Sequence, residues 1–315
     1  MIRILANDGI HPDGQLLLEE AGYEVITDKV PQDELASVIN DYDAIIVRSA
    51  TKIRQPLIDQ CSRLKVICRA GVGLDNIDVA YAKEQGIAVF NTPAASSQSV
   101  AELVIGHILT ISRSLHVSNR EMLGGDFKKL KKQFSKGKQL AGSTMGIIGF
   151  GRIGVALAST ALGMGMKVIV SDPFVERREI PLFPNHFGVK SNAVIYTDKM
   201  EDVLRQADVL SLHVPSFDKP LIGADELALM KDDAILVNAA RGGVIDEEAL
   251  LAVLDSGKLM GAGLDVFVGE PTPDERLLNH PKVSVSPHIG ASTTAAQSMI
   301  GGELADILIT FFGEQ

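Results

Sequence analysis

Short runs of β-branched residues alternate with amphipathic runs along most of the chain. This alternation is typical of βαβ units, in which helices join parallel strands and cover the sheet. The first half predicts the strands Ile2–Ala6, Glu24–Thr27, Ala44–Arg48, Lys65–Arg69 and Ala88–Asn91. A second series begins at Thr144 and predicts the strands Met145–Phe150, Lys167–Ser171, Val209–Val214, Ala234–Asn238, Gly263–Phe267 and Val283–Ser286. The pattern therefore predicts an α/β protein with two Rossmann-like, doubly wound parallel sheets.

The pattern changes between the two series. Apolar residues recur at helical spacing from Ser96 to Ser114, which predicts one long helix. The stretch Gly124–Lys138 is basic and poor in apolar residues, so it predicts an exposed loop or arm. A last amphipathic run, Thr293–Phe311, has little to pack on locally and is expected to return to the first domain. We therefore expect a discontinuous first domain, residues 1–95 plus 291–315, with a second domain, residues 96–290, inserted into it.

Composition narrows the classes of function. The chain has 315 residues, enough for two domains, and a formal net charge of −10, which argues against a general nucleic-acid or anionic-membrane partner. Cys61 and Cys68 are the only cysteines and form neither a disulfide framework nor a metal site, so a reducing compartment fits. The N-terminus lacks a signal-peptide pattern, and no uninterrupted apolar run reaches about 18 residues. We expect a soluble, cytoplasmic protein without a metal ion.

A dinucleotide-binding motif opens the second domain. Gly149, Gly151 and Gly154 form a GxGxxG pattern between a predicted strand and a predicted helix, and Asp172 closes the next strand. The glycines permit a tight turn, close approach of a pyrophosphate and close helix packing, while the helix N-terminus attracts the phosphates. Asp172 would accept hydrogen bonds from ribose hydroxyls and repel a 2′-phosphate. The motif therefore predicts NAD rather than NADP, although Arg177 and Arg178 follow later in the chain.

Polar residues collect at the predicted carboxyl ends of the strands, where open α/β sheets bind ligands. In the second domain these residues are Gly149, Asp172, His213, Arg241, Asp265 and His288. In the first domain they are Arg48, the segment Arg69–Gly73 and the segment Asn91–Pro93. Two such edges facing each other would form an interdomain cleft. The complete set of predicted coenzyme contacts is Gly149, Gly151, Arg152, Ile153, Gly154, Asp172, His213, Val214, Pro215, Ala239, Ala240, Arg241, Asp265, His288 and Gly290.

The residue types suit the interconversion of a 2-keto acid and a 2-hydroxy acid. Arg241 can bind the carboxylate and polarise the carbonyl, and His288 can exchange a proton with the substrate oxygen. Glu270 can keep that imidazole protonated by pairing with it. Each has a plainer explanation: a surface ion pair for Arg241, a structural hydrogen bond for His288 and a loop cap for Glu270. Their shared position beside the dinucleotide motif favours the catalytic interpretation.

The substrate side of the cleft is predicted to lie in the first domain. Arg48 and Arg69 end first-domain strands and would bind a phosphate at the distal end of the substrate. The backbone amides of Gly71 and Val72 would hold the substrate carboxylate together with Arg241. The alternative is that Arg48 pairs with Asp75 or Asp78 and only braces its loop.

Four ordered motifs carry a resemblance that covers essentially the whole chain. They are Gly149–Gly154, Val237–Asp246, Gly263–Phe267 with Glu270-Pro271, and Ser286–Gly290. Together they resemble the D-isomer-specific 2-hydroxyacid dehydrogenases. The resemblance implies an NAD-linked enzyme in which Arg241, Glu270 and His288 hold the catalytic roles. It also implies a homodimer formed through the coenzyme domain, with the long helix and the Gly124–Lys138 segment contributing.

Within that family the first domain most resembles the D-3-phosphoglycerate dehydrogenases. The matching segments are Ile46–Lys52, Arg69–Asp78 and Phe90–Pro93. This resemblance implies NAD-dependent oxidation of D-3-phosphoglycerate to 3-phosphohydroxypyruvate, the first step of serine biosynthesis. Because the chain stops at Gln315, it resembles a short form without the regulatory domain, and feedback by serine is not expected. Val72 and Val214 stand where some relatives carry threonine.

Two other functions stay open. The first is another 2-hydroxyacid dehydrogenase, acting on glyoxylate, hydroxypyruvate or D-lactate. The second is a non-catalytic, NAD-sensing scaffold like the transcriptional corepressors that share this fold, which is disfavoured because Arg241, Glu270 and His288 are all present. A formate dehydrogenase is also disfavoured, since that relative carries glutamine in place of Glu270.

Overall fold

The structure is a computed structural model that describes residues 1–181 and 192–313. It divides the chain into two compact units, Met1–Ser97 with Ala291–Gln315, and Gln98–Gly290. Each unit contains a parallel sheet with helices packed against it. The prediction of two α/β domains is therefore confirmed.

The first unit contains a five-stranded sheet in the order β2-β1-β3-β4-β5, with every pair parallel. Its strands are β1 (Arg3–Ala6), β2 (Glu24–Ile26), β3 (Ala44–Val47), β4 (Val66–Arg69) and β5 (Ala88–Asn91). Its helices are α1 (Pro12–Glu20), α2 (Leu35–Val38, continued by a 3-10 turn over Ile39–Asp41), α3 (Gln55–Ile58) and α4 (Val79–Glu84).

The C-terminal helix, Thr294–Gly313, covers one face of this sheet. Its residues Ile300, Leu304 and Leu308 pack with Ile4 and Ala6 of β1 in one buried cluster. Contact with α1 is close because Gly14 and Gly301 face each other, and a side chain at Gly14 would overlap the Gly301 backbone. The other face is covered by a second cluster around Leu35 and Ile58. Burial of aliphatic side chains on both faces explains the continuous apolar runs of the strands.

The second unit begins with three helices: α5 (Ser97–Ser112, whose first residue belongs to the first unit), α6 (Leu115–Glu121) and α7 (Phe127–Gln133). Its sheet has the order β13-β12-β11-β10-β6-β7 and is parallel throughout, and a separate antiparallel hairpin joins β8 to β9. The strands are β6 (Thr144–Ile148), β7 (Lys167–Ser171), β8 (Arg177–Pro181), β9 (Asn192–Tyr196), β10 (Val209–Leu212), β11 (Ala234–Asn238), β12 (Leu259–Leu264) and β13 (Val283–Val285). The remaining helices are α8 (Arg152–Gly163), α9 (Met200–Gln206), α10 (Ala224–Leu229), α11 (Glu247–Asp255) and α12 (Glu275–Leu278).

Two local predictions were wrong. The expected loop Gly124–Lys138 contains α7, which is capped by the Asp126 side chain accepting from the Lys129 amide. The strand predicted at Gly263–Phe267 runs from Leu259 to Leu264, and its glycines at positions 261 and 263 pack closely against Lys282 and His107. The antiparallel β8–β9 hairpin was not predicted.

Within the described part of the chain, no single helix is both long and apolar enough to cross a membrane. One bent pair, Ser97–Ser112 with Leu115–Glu121, meets the length and composition test only when taken together.

Candidate active site

The glycine turn after β6 is built by backbone contacts that exclude side chains. Gly149 has φ +92°, and a Cβ there would overlap the carbonyl oxygen of His213. A Cβ at Gly154 would overlap the carbonyl oxygen of Gly149, so the start of α8 packs directly on the turn. At Gly151, by contrast, a Cβ would meet nothing within 4 Å. Gly149 and Gly154 therefore shape the fold, whereas Gly151 leaves open space in front of the helix.

This turn fits a dinucleotide. The amides of Arg152, Ile153 and Gly154 begin a 12-residue helix and have no intrahelical acceptors, so they can bind a pyrophosphate in the open space beside Gly151. Asp172 lies at the end of the neighbouring β7, as the sequence predicted. Its two carboxylate oxygens accept from the amides of Phe150 (2.6 Å) and Phe174 (2.8 Å), and each keeps a lone pair for a ribose hydroxyl.

Arg178 lies at the same turn. From β8 its Nη1 donates to the carbonyl oxygen of Phe150 (2.8 Å), and its guanidinium carbon lies 5.9 Å from the centre of the Phe150 ring. The hairpin thus brings a cation to the turn that Asp172 also contacts. The sequence showed that Arg177 and Arg178 follow Asp172, but not that Arg178 contacts the turn.

Residues that follow β10 lie beside the turn. His213 directly follows β10, and its Nε2 is 2.9 Å from the Ser211 hydroxyl. Its Nδ1 is buried and has no hydrogen-bond partner in the described residues, and burial lowers the pKa of His213 to about 4. The imidazole is therefore neutral at pH 7. Val214, which follows it, is half-buried, and Pro215 is exposed.

His288 and Glu270 form a direct pair. His288 Nδ1 lies 2.8 Å from Glu270 Oε2, and Glu270 Oε1 accepts from the Phe267 amide (2.9 Å). Both oxygens of the carboxylate therefore have partners. The pair holds the imidazole by Nδ1, and Nε2 has no hydrogen-bond partner in the described residues. His288 adopts φ +53°, and its own amide donates to the carbonyl oxygen of Asp265 (2.8 Å).

The loop with Arg241 packs against the loop that holds Glu270. Asn238, the last residue of β11, accepts from the Ala240 amide (3.0 Å) and donates to the Arg241 carbonyl (2.8 Å), so the loop is held tightly. A Cβ at Gly242 would overlap the carbonyl oxygen of Phe267, which places the two loops in contact. The structure thereby groups Arg241, Glu270 and His288 on adjoining loops at the carboxyl edge of one sheet.

A cavity of about 380 Å³ adjoins the His288–Glu270 pair. Apart from the pair itself and Ser286, its lining is apolar and consists of Phe267, Pro271, Pro273, Leu278, Val285 and Pro287.

Four other residues assigned to the coenzyme are buried inside the domain. Asp265 is 1 % exposed and accepts from Ser286 Oγ (2.6 Å) and from the amides of Ile289 and Gly290 (2.9 Å each). Ala239 and Ala240 are 9 % and 7 % exposed. A coenzyme role for Asp265, Gly290 and the two alanines stays a prediction.

In the first unit Arg48 lines a separate cavity of about 270 Å³. Its backbone amide donates to Asp8 (2.7 Å), while no hydrogen bond or ion pair of its guanidinium is found in the described parts of the chain. The pairing of Arg48 with Asp78 considered from the sequence is wrong, because Asp78 pairs with Arg54 (2.7 Å).

The glycine turn after β4 differs from expectation at one amide. Gly71 has φ +132° and its N–H donates to Thr92 Oγ1 (2.7 Å), so this amide is not available for a substrate carboxylate. The Arg69 guanidinium occupies the space that a side chain at Gly71 would need, and its Nη1 donates to the Ala70 carbonyl (3.2 Å). Of the two predicted amides, only that of Val72 remains.

Comparison with known proteins identifies the family. Residues 105–290 match the family model described as D-isomer specific 2-hydroxyacid dehydrogenase, NAD binding domain. The chain belongs to the D-isomer-specific 2-hydroxyacid dehydrogenases. It is therefore an NAD-dependent oxidoreductase, as the sequence predicted.

Relatives of this dehydrogenase carry more than one substrate name. It is 42 % identical to a hydroxypyruvate reductase of Thermotoga maritima, with 99 % of this chain and 98 % of the relative covered. It is 41 % identical to a D-3-phosphoglycerate dehydrogenase of Methanocaldococcus jannaschii, with 97 % of this chain but only 56 % of the relative covered. Among solved structures, it is similar to the TT0316 protein of Thermus thermophilus (TM-score 0.85, 29 % identity, 100 % and 98 % of the two chains covered). The chain thus spans about half the length of the phosphoglycerate dehydrogenase.

The dehydrogenase should prefer NADH to NADPH, with Arg178 as the residue that limits the preference. A carboxylate beside a 2′-phosphate should cost about 1–3 kcal/mol, or about 5–150-fold in kcat/KM. Arg178→Ala should increase the NADH/NADPH ratio further, because it removes the cation at the Phe150 carbonyl. Arg177→Ala, a change at the exposed neighbouring arginine, is the control and should leave the ratio unchanged. Steady-state kinetics with both coenzymes measures the ratio, and equal efficiency in the unmodified enzyme would contradict this prediction.

Replacement of Glu270 with glutamine should lower kcat/KM for keto-acid reduction, because the carboxylate that holds His288 Nδ1 at 2.8 Å is lost. The net contribution of such a hydrogen bond is about 0.5–1.5 kcal/mol, so the loss should be about 2–12-fold, while the NADH dissociation constant stays similar. Glu275→Gln, a change at an exposed glutamate of α12, is the control. Unchanged kcat/KM in Glu270→Gln would show that the pair does not position the imidazole.

Proposed function

We propose that the protein oxidises D-3-phosphoglycerate to 3-phosphohydroxypyruvate with NAD, the first reaction of serine biosynthesis. The observation that carries the proposal is Arg48, which lines a cavity together with Asp8 and whose guanidinium forms no ion pair in the described residues. An arginine without an ion pair in a protein of net charge −10 favours an anionic ligand. The 41 % identity to a D-3-phosphoglycerate dehydrogenase supports the same substrate.

The catalytic step assigns one task to each residue. Arg241 binds the substrate carboxylate and polarises the C2 oxygen, since a guanidinium can donate two parallel hydrogen bonds. His288 accepts the hydroxyl proton during oxidation and returns it during reduction, and Glu270 stabilises the resulting imidazolium. NAD, when bound, supplies the hydride acceptor. The glycine turn with Gly149, Gly151 and Gly154 would hold its pyrophosphate, and Asp172 its ribose.

Substrate recognition is proposed to use the first unit for the distal phosphate. Arg48 and Arg69 both end strands at the carboxyl edge of the first sheet, where a dianion can be reached by both guanidinium groups. The Val72 amide, for which the described residues provide no acceptor, is proposed to bind the substrate as well. The first unit is accordingly proposed as the substrate-binding domain, and the second as the NAD-binding domain.

Arginine substitutions test the phosphate assignment. Arg48→Ala and Arg69→Ala should each lower kcat/KM for phosphohydroxypyruvate by about 1.5–3 kcal/mol, or about 12–150-fold, the free energy of a lost charged hydrogen bond. For unphosphorylated hydroxypyruvate the loss should be less than about threefold by the same reasoning.

Arg54→Ala is the matched control, because Arg54 ends no strand and already pairs with Asp78. It should change kcat/KM for neither substrate. Equal losses on both substrates in Arg48→Ala would mean that this arginine braces its loop, and the proposed substrate would then be wrong.

A hydroxypyruvate reductase is the second candidate. It is favoured by the 42 % identity to the Thermotoga maritima enzyme, whose whole length this chain matches. Initial rates with phosphohydroxypyruvate, hydroxypyruvate, glyoxylate and pyruvate, each with NADH, separate the candidates, including a D-lactate dehydrogenase. Higher kcat/KM for hydroxypyruvate than for its phosphorylated form would replace the first proposal with the second.

A homodimer through the NAD-binding domain is also proposed. Large apolar side chains are exposed along α6 and α7. They are Leu115 (50 %) at the start of α6, Met122 (50 %) and Leu123 (85 %) directly after it, and Phe127 (65 %) at the start of α7. Such a cluster on one segment is typical of a protein interface. Burial in a dimer would remove it from water.

A cytoplasmic location is proposed from the state of the thiols. Cys61 and Cys68 are both free. Burial raises their pKa to about 11 and about 12, so both stay protonated and unreactive at neutral pH. Two unreactive, unpaired thiols suit a reducing compartment.

A further inference from the structure

A buried hydrogen-bond chain runs from α5 to the loop that contains His288. Nδ1 of His107 lies 2.9 Å from Ser284 Oγ, and Nε2 lies 2.9 Å from Ser286 Oγ. Ser286 Oγ in turn donates to Asp265 Oδ1 (2.6 Å). His107 lies within the predicted long helix Ser96–Ser114, and no function is assigned to it from the sequence.

The direction of each hydrogen bond follows from the number of donors. Ser286 has one hydroxyl proton, and Asp265 Oδ1 takes it, so the Ser286 oxygen must accept from His107. Nε2 of His107 therefore carries the proton, and Nδ1 accepts from the Ser284 hydroxyl. Burial lowers the pKa of His107 although the charge of Asp265 opposes the shift, so the ring is neutral with one defined tautomer.

Asp265 passes this constraint to the backbone around His288. Its Oδ1 and Oδ2 accept from the Ile289 and Gly290 amides (2.9 Å each), and its carbonyl oxygen accepts from the His288 amide (2.8 Å). His288 itself has φ +53°, a conformation that a side chain rarely adopts and that neighbouring contacts must hold in place. We propose that His107 is a positioning residue for His288, acting through Ser286 and Asp265.

The local packing shows that the histidine is accommodated at a cost. His107 is 4 % exposed and lies among Val104, Ile108 and Ile111 on the buried face of α5. Its space depends on Gly263, where a Cβ would lie 2.6 Å from the His107 Cβ. An aliphatic residue would fill an apolar helix face without needing two hydroxyl partners. The polar ring is therefore satisfied by hydrogen bonds to Ser284 of β13 and to Ser286 directly after it, and the apolar side chains around it offer no such partner.

The proposal rests on the proton-transfer role of His288 given under the proposed function. Two substitutions separate polarity from packing. His107→Leu fills the space but cannot donate to Ser286, whereas the side-chain amide of His107→Gln can donate at a similar reach. Ser284→Ala removes the partner of Nδ1 with a smaller change in volume, and it serves as the second variant should His107→Leu fail to fold.

We expect His107→Leu to lower kcat for NADH-dependent keto-acid reduction by about tenfold, since displacement of a catalytic group by about 1 Å can cost up to about 100-fold. The NADH dissociation constant should change less than twofold, and His107→Gln should recover most of kcat. Independently of activity, hydrogen exchange of the Ile289 and Gly290 amides should be faster in His107→Leu and close to normal in His107→Gln, in enzyme without coenzyme.

The outcomes are distinguishable. Unchanged kcat and unchanged exchange in His107→Leu would overturn the proposal, as would equal loss of kcat in the leucine and glutamine variants. Faster exchange without any loss of kcat would also overturn it, because His107 would then stabilise the loop without affecting catalysis by His288. His288→Ala measured in parallel tests the proposed function separately: normal turnover there would refute the role of His288, while the exchange results would still report on the hydrogen-bond chain.

Discussion

His288→Ala is expected to lower kcat for keto-acid reduction by about 10²–10⁴-fold, the usual contribution of a positioned general acid. The imidazole is the proposed proton donor, and Glu270 contacts it at 2.8 Å. NADH should bind with nearly unchanged affinity, because the substitution leaves the glycine turn and Asp172 intact. Stopped-flow reduction and NADH fluorescence titration measure the two quantities separately.

His280→Ala provides the control for loss of a histidine in the same domain. His280 contacts Asp255 (3.4 Å) and lies outside the His288 loop, so its removal should leave kcat within about twofold, as for a surface ion pair. Near-normal turnover in His288→Ala would refute the assignment of the general acid. Loss of both turnover and NADH binding would indicate that the loop, rather than the imidazole, had been damaged.

The two glycines at the start of the motif are expected to fail in different ways when changed to alanine. Gly149→Ala should destabilise the protein by about 2–4 kcal/mol, because it combines positive-φ strain with overlap of the His213 carbonyl. Gly151→Ala should fold normally, since its Cβ would meet nothing within 4 Å. Its NADH affinity should nevertheless fall at least about tenfold, because the methyl group occupies the space of the pyrophosphate.

Thermal unfolding and NADH titration of both variants test this pair. Gly163→Ala, a change in α8 that also meets open space but lies at the other end of the helix, is the control and should bind NADH normally. Normal NADH affinity in Gly151→Ala would mean that the coenzyme does not approach this turn. Normal stability in Gly149→Ala would mean that the turn can rearrange around a side chain.

Much of the fold could be predicted because the strands are buried on both faces. Continuous apolar runs such as Ile45–Val47 and Ile147–Ile148 have no polar face, so only a parallel sheet covered on both sides accommodates them. The glycine motif could be predicted for a similar reason. Gly149 and Gly154 are required by close approaches of backbone, and that requirement is encoded within six residues of sequence.

Segments with weak local signals were decided by packing. The basic stretch that contains α7 has few apolar residues, yet Leu130 is buried and the Asp126 cap starts a helix. The strand β12 begins at Leu259 rather than at Gly263, and its glycines at positions 261 and 263 admit the Lys282 backbone and the His107 side chain. A glycine chosen for close approach and a glycine chosen for a turn look the same in sequence.

At the site, the sequence by itself determined which residues are candidates for chemistry. Arg241 and His288 follow predicted strands beside a dinucleotide motif, Glu270 lies between them in the chain, and their types favour proton exchange beside an anion. Only the tertiary structure decided which partners are engaged. Gly71 gives its amide to Thr92, and Arg48 lines a cavity instead of pairing with Asp78.

The same division explains His107 and Arg178. Residues 107, 265 and 286 belong to three elements far apart in the chain, and Arg178 reaches the glycine turn through a hairpin whose pairing the sequence did not show. Local sequence encodes backbone requirements and burial because these act over a few residues. Hydrogen bonds between side chains on different elements depend on where the sheet places each strand end, so they are settled only when the domain packs.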